Sequence, residues 1–110
     1  MKFYKNLYIG DTIKNPSKIK RKLKRHAKQP KVFVILPASG DDQLEICHSI
    51  VLEQPYYRKK ENEPYIVGIA GNYEEAVALI CRITEEAVSQ NGNADLKRYL
   101  FPESRTVGKA

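Results

Sequence analysis

Tryptophan is absent from this 110-residue chain, and methionine occurs once and cysteine twice. Without tryptophan, the aromatic volume of any core must come from seven tyrosines and three phenylalanines. Two cysteines 34 positions apart (Cys47 and Cys81), each in an apolar stretch, predict reduced core residues rather than a disulfide scaffold. Two cysteines and two histidines without paired spacing predict no zinc site. Long apolar runs are missing as well. VFVIL and IVGIA fall far below the ~20 residues of a membrane span. MKFYKNLYIG has no apolar signal-peptide segment. These absences predict a cytoplasmic protein with no membrane partner. Acidic residues are scarce at one end: residues 1–31 hold eleven lysines and arginines against Asp11 alone, a net charge of +10. Residues 32–110 hold eight basic residues against twelve acids, a net charge of −4.

A basic end on an acidic body points to a polyanion, an acidic partner or self-association. The asymmetry concentrates in KNPSKIKRKLKRHAKQPK, residues 14–31, which carries nine basic residues and no acid. Asn15 is a suitable N-cap and Pro16 suits a first helical position, so a helix is expected from Pro16 to about Lys28. Its apolar positions, Ile19, Leu23 and Ala27, form a narrow stripe. Lys18, Lys20, Arg21, Lys22, Lys24, Arg25 and Lys28 occupy the remaining sides. Like charges four apart repel by a few tenths of a kcal/mol per pair. A bound anion would relieve that repulsion, and phosphates can do so by counterion release with no base-reading motif. No helix-turn-helix, zinc-finger or RNP-type sequence is present to supply specificity. A second basic cluster, QPYYRKK (54–60), interleaves Tyr56 and Tyr57 with Arg58, Lys59 and Lys60. Single-strand binders use that mixture, although tyrosines beside a proline more often make a structural corner. Lys97, Arg98 and Tyr99 are read as packing residues.

The rest of the chain alternates strands and helices. KFYKNLYI (2–9) reads as a strand with Phe3, Leu7 and Ile9 on one face and Tyr4 and Tyr8 on the other. KVFVIL (31–36) and PYIVGIAG (64–71) read as central strands covered on both faces. LEICHS (44–49) reads as a weak strand, IVLEQ as a helical turn and RKKENE as a solvated loop. Asn72 and Glu75 form a capping box for a helix from Tyr73 to about Gln90. Its expected apolar stripe is Ala76, Val77, Ile80, Cys81, Ile83, Ala87 and Val88. Glu74, Glu75, Arg82, Glu85, Glu86 and Ser89 are expected to face water. ADLKRYL forms a short last helix, and residues 103–110 a frayed tail. The fold class is therefore α/β, with α+β as the alternative: one domain over 1–102, with three to four strands in a mixed sheet. The strand at 2–9 is expected beside 31–36 if the first crossover is parallel.

Enzyme signals are weak. Gly68-x-x-Gly71 lies between a strand and a helix but matches neither the dinucleotide nor the P-loop spacing. Glu74 and Glu75 would repel a phosphate there. Cys47 and His48, adjacent on a strand, point to opposite faces and cannot form a dyad. Ser39, Gly40, Asp41 and Asp42 follow a central strand, where α/β proteins often place ligands, and are the best enzyme-site candidates.

The succession PKVFVILPASGDDQLEICHSIVLEQPYYRKK, PYIVGIAGNYEEAVALI and ADLKRYL resembles a group of small bacterial α/β proteins of uncharacterised function, over most of residues 1–101. The resemblance implies one compact domain and brings no activity, cofactor or catalytic residue. The expected function is thus non-enzymatic binding of a polyanion, above all nucleic-acid phosphates, through the helix at 16–28, without cofactor or metal. The alternative is an assembly module docking an acidic protein surface, including the helix 73–90 of a second copy. An enzyme acting at loop 38–42 comes third.

Overall fold

The computed structural model describes residues 1–25, 31–38 and 43–101. The loop residues Ser39–Asp42, the helix extension through His26, Ala27 and Lys28, and the tail after Phe101 lie outside the described residues. Four strands form one mixed sheet: β1 (Lys2–Ile9), β2 (Phe33–Pro37), β3 (Leu44–His48) and β4 (Tyr65–Ala70). Helix α1 (Pro16–Lys24) joins β1 to β2. Helices α2 (Tyr73–Asn91) and α3 (Leu96–Leu100) follow β4. Between β3 and β4 the chain makes three short 3₁₀ turns, at Ser49–Glu53, Pro55–Arg58 and Lys60–Asn62. The expected helical turn is therefore tighter than an α-helix, and part of the expected RKKENE loop is helical.

The strand order is β1-β4-β2-β3. The two strands read as central are central, and α/β is the right class. The neighbour of β1 is not β2, however. Strand β4 inserts between them, parallel to β1 and antiparallel to β2. Both β2 and β4 are almost wholly apolar because both of their faces are covered. On one face Leu23 of α1 and Leu52 of the first 3₁₀ turn pack on Val34, Leu36, Ile66 and Ile69. On the other face α2 and α3 bring Ala76, Leu79, Ile83, Ala87, Leu96 and Leu100 onto Tyr8, Ile35, Val67 and Ala70. Helices α1 and α2 thus lie on opposite sides of the sheet.

Strand β1 is irregular in the middle. Phe3 pairs with Ile66 and Tyr8 with Gly68, so Tyr4, Lys5, Asn6 and Leu7 oppose Val67 alone. The bulge keeps the expected faces: Phe3, Leu7 and Ile9 pack on the α1 side, Tyr4 and Tyr8 on the α2 side. A bulged edge strand with exposed Lys2 and Lys5 is also poorly suited to pairing with another chain. The glycine at 68 makes room within the sheet rather than for a helix. A Cβ there would lie 3.0 Å from Ile35 Cδ1 and 3.3 Å from the Tyr8 carbonyl oxygen.

The buried face of α2 differs from the expected stripe. Leu79 is buried with Ala76, Ile83 and Ala87. Val77 and Val88 stand 39% and 47% exposed, and Cys81 is exposed too. The spacing of the α2 alanines explains the shift: Ala76, Leu79, Ile83 and Ala87 sit three or four apart and let the helix approach the sheet closely. Both cysteines are free, and Cys81 is not a core residue.

Two glutamates expected on the water-facing side of α2 are instead engaged within the chain. Glu86 accepts from the Tyr8 hydroxyl at 2.5 Å and from the Tyr99 hydroxyl at 3.2 Å, and pairs with Arg82 at 3.5 Å. Tyr8 is 8% exposed; its burial and the bond to Glu86 push its phenol pKa well up. Glu86→Ala would leave that hydroxyl without its acceptor. Because the bond is charge-assisted, the substitution should cost about 1–3 kcal/mol in a urea melt. A loss within a few tenths of Tyr99→Phe alone would show that Tyr8 finds water instead.

Candidate polyanion-binding surface

Helix α1 starts as its sequence predicts: the Asn15 side chain accepts the Lys18 N–H at 3.1 Å, and Pro16 opens the first turn. At about 100° per residue, Ile19 and Leu23 share one direction. Leu23 is 1% exposed and is the residue that docks the helix. The same geometry divides the basic side chains between two flanks and the outer side. Lys18 and Lys22 lie on one flank, Lys20 and Lys24 on the other, and Arg21 and Arg25 outward. No acid is present in the first turn, and Arg21, Lys22 and Lys24 occupy the last.

On the Lys20 flank, an open groove of about 660 Å³ runs between α1 and the start of β1 and β4. Lys20, Arg21 and Lys24 line one side, and Lys2 of β1 joins them. Phe3, Tyr65 and Met1 supply the rest of the lining. The Lys20 ammonium lies over the Phe3 ring, 5.3 Å from its centroid, so that its stem covers apolar surface while the charge stays at the groove. The groove's negative neighbour is Glu63, whose carboxylate is paired with the Met1 amine.

The structure does not gather all the expected residues. Lys18 and Lys22 face the opposite flank, together with Lys14 and Lys31. Arg25 caps α1 with its backbone N–H bonded to the Arg21 carbonyl and lines neither groove. Lys28 lies outside the described residues. Arg58, Lys59 and Lys60 are exposed on the 3₁₀ turns and line neither groove. Tyr57, which precedes them, packs into the α1-side cluster that contains Leu23. Tyr57 is thus a corner residue, with Tyr56 exposed against it at a ring distance of 5.0 Å. Lys97 donates to the Ala38 carbonyl and Tyr99 to Glu86, both packing roles. The expected set lacked Lys2, Lys14 and Lys31. Lys14 and Lys31 bracket the basic run and carry that signal; Lys2 has no local signal at all.

No family model, no curated protein and no solved structure matches this chain. The functional reading therefore rests on the geometry.

The glycine-rich turn after β4 is closed to an external anion by the chain's own carboxylate. Glu75 accepts the Gly71 N–H at 2.7 Å, the Thr12 hydroxyl at 2.6 Å and the Thr12 N–H at 3.0 Å. Its own N–H bonds to the Asn72 cap at 2.8 Å, so one half of the expected capping box forms while the carboxylate reaches Gly71 rather than the Asn72 N–H. Gly10 and Gly71 lack side chains for this reason: a Cβ at Gly10 would lie 2.1 Å from the Glu75 carboxylate, and one at Gly71 2.1 Å from Thr12 Oγ1. These donors, the Gly71 N–H foremost and then the Thr12 hydroxyl, hold the Glu75 carboxyl below its ordinary pKa. A carboxyl whose pKa is lowered by folding stabilises the fold above its unfolded pKa of about 4.3. That stabilisation is lost as pH falls through the lower folded value. Acidification from pH 5 toward 3 should therefore destabilise the wild type more than Glu75→Gln, as followed by urea melts at each pH. Parallel pH curves for the two proteins would contradict this.

Cys47 and His48 do not form a dyad. Cys47 packs toward the α1-side cluster. The His48 ring contacts Phe33 edge-on, and its Nδ1 accepts the Ile50 N–H at 3.1 Å. Among the described residues, no cluster of three or more His, Cys, Asp or Glu could hold a metal ion. No described helix is long and apolar enough to cross a membrane.

Proposed function

We propose that the protein is a non-enzymatic binding protein that takes a polyanion, nucleic-acid phosphates above all, along α1. The observation that carries this reading is the groove where Lys2, Lys20, Arg21 and Lys24 converge from two elements. None of the four makes a salt bridge within 4 Å among the described residues, although Lys2 is near enough to Glu63 to help the Met1 amine hold its carboxyl pKa down. A chain of phosphates along this groove would offset the like-charge repulsion within α1 at every turn. No acid of α2 lines this groove: Glu75 is held by Thr12 and Gly71, and Glu86 by Tyr8 on the α2 side of the sheet. Nothing in the groove offers the planar, bidentate arrangement that reads base edges, so binding is expected to be indifferent to sequence.

The assembly alternative has less support. Of the four α2 acids available to a second copy's α1, Glu75 and Glu86 already serve Thr12, Gly71, Tyr8 and Tyr99. Contact between α1 of one copy and α2 of the next would also join opposite faces of the sheet. Such a heterologous contact builds rings or open chains rather than a closed dimer.

The test is fluorescence-anisotropy titration of labelled single- and double-stranded DNA and RNA over a salt series. Four to five phosphate contacts predict a log–log salt slope of about −3 for single strands and about −4 for duplex. Absence of binding even at low salt, about half a physiological concentration or less, would remove nucleic acid as the partner.

A further inference from the structure

The opposite flank of α1 borders a second cavity, smaller and more enclosed, of about 320 Å³. Four lysines line it from three separate segments: Lys14 after β1, Lys18 and Lys22 on α1, and Lys31 before β2. We infer that this cavity is a distinct binding site for a small ligand bearing a diphosphate group. The inference goes beyond the polyanion reading, since it concerns a different groove and relies on Lys14 and Lys31, which the α1 surface does not need.

No acidic side chain lines the cavity, and none of the four lysines has an ion-pair partner among the described residues. Glu75 lies behind Thr12 and Gly71, and both of its carboxylate oxygens are committed to those residues. Four lysines lining so small a volume gather like charge, with no acid among the lining residues to offset it. A single phosphate brings at most two charges, whereas a diphosphate brings about three to four. Lysine ammonium groups act as point charges and impose no planar geometry, which suits phosphate oxygens presented in several directions.

The cavity lies where β1 and β4, the parallel pair, end: Thr12 and Ile13 follow β1 and Gly71 follows β4. Open α/β sheets take small ligands at that end of their strands. Its volume is at the lower bound of small-ligand sites, about 300 to 1,000 Å³. That admits one small molecule and not the length of a strand. Ile13, Ile19 and Val32 make part of the lining apolar, so an organic group joined to the diphosphate would have a surface to bury. The usual backbone donor of such a site, the Gly71 N–H, is taken by Glu75. Recognition therefore falls to the lysines, and it should depend on them steeply.

The experiment is thermal unfolding of the full chain with inorganic phosphate, inorganic pyrophosphate or adenosine diphosphate, against sulfate at matched ionic strength. Pyrophosphate and adenosine diphosphate should raise Tm by a few degrees, as a ligand near tenfold its Kd does for a domain of this size. Phosphate and sulfate should do far less. A larger shift with adenosine diphosphate would assign the apolar wall to the organic group; equal shifts would assign the site to the diphosphate alone. The pair Lys14→Gln with Lys31→Gln should abolish the shift while single-stranded DNA affinity changes less than about twofold, well under the roughly eightfold that one lost phosphate contact costs at about 50 mM salt. The set Lys20→Gln, Arg21→Gln and Lys24→Gln should do the reverse. The inference is overturned if neither diphosphate exceeds sulfate, or if the Lys14/Lys31 pair keeps the shift. It is equally overturned if that pair loses DNA and diphosphate binding together, which would make the cavity part of one continuous polyanion surface.

Discussion

Replacing Lys20, Arg21 and Lys24 together with glutamine should weaken single-stranded DNA binding roughly 500-fold at about 50 mM salt, and should flatten the log–log salt slope by about 2. The size follows from counterion release. Each lost contact removes about 0.7 from the slope for a single strand, and close to a factor of ten in affinity at about 50 mM salt. Glutamine keeps length and helix propensity, and all three side chains are wholly or partly exposed, so the fold should survive. Stability should even rise slightly, because the Lys20–Lys24 and Arg21–Arg25 repulsions disappear. Lys18→Gln with Lys22→Gln is the control, since those residues face the other flank. If the control set costs as much as the triple set, binding follows net charge alone, and the groove with Lys2 has no particular role. If the slope does not change in the triple set, the groove is not where phosphates bind.

Leu23→Ala should destabilise the domain by about 2–4 kcal/mol, measured as a shift of the urea midpoint. Leu23 is the fully buried residue of α1. It inserts between Val32, Val34, Leu36, Leu52, Ile66 and Ile69, a cluster with few ways to collapse around a lost isobutyl group. Helix α1 has nine residues, too few to persist in water without docking, and its uncompensated charges make it weaker still. The substitution should therefore undock α1 before the α2 side of the sheet unfolds. Amide exchange would report this as lost protection in residues 19–25 with β4 and α2 still protected. A polyanion that binds docked α1 should recover part of the lost stability by mass action. If Leu23→Ala unfolds everything in one step, α1 is an integral part of the single cooperative unit. If added single-stranded DNA fails to shift the midpoint of the mutant and the wild type alike, the proposed surface does not bind it.

Much of the candidate surface could be read from the residues themselves. The four-residue spacing of Ile19 and Leu23 announces which side of α1 docks, and the positions between them announce two basic flanks. What could not be read is which partners each flank meets. Lys2 joins Lys20, Arg21 and Lys24 only because β1 starts beside the end of α1. Lys14 and Lys31 meet across a cavity only because α1 and β2 both begin at the end of the sheet where β1 and β4 finish. The misplaced residues have a common origin as well. Val77, Cys81 and Val88 are apolar by type, yet Ala76, Leu79, Ile83 and Ala87 are the residues the sheet accepts. Glu75 and Glu86 are charged, yet their chain-internal donors, Thr12, Gly71, Tyr8 and Tyr99, come from far away in sequence.

The amino-acid sequence by itself determined the segregation of charge, the two central strands and the capping of α1 and α2. These follow from composition, local periodicity and side chains that bond within four residues of themselves. Tertiary structure alone decided that β4 separates β1 from β2, that α1 and α2 take opposite faces, and that Glu75 fills the turn after β4. Each of those outcomes depends on which distant segments pair. Pairing is settled by burying β2 and β4 on both faces at once, a condition of the whole sheet that no single stretch of residues contains.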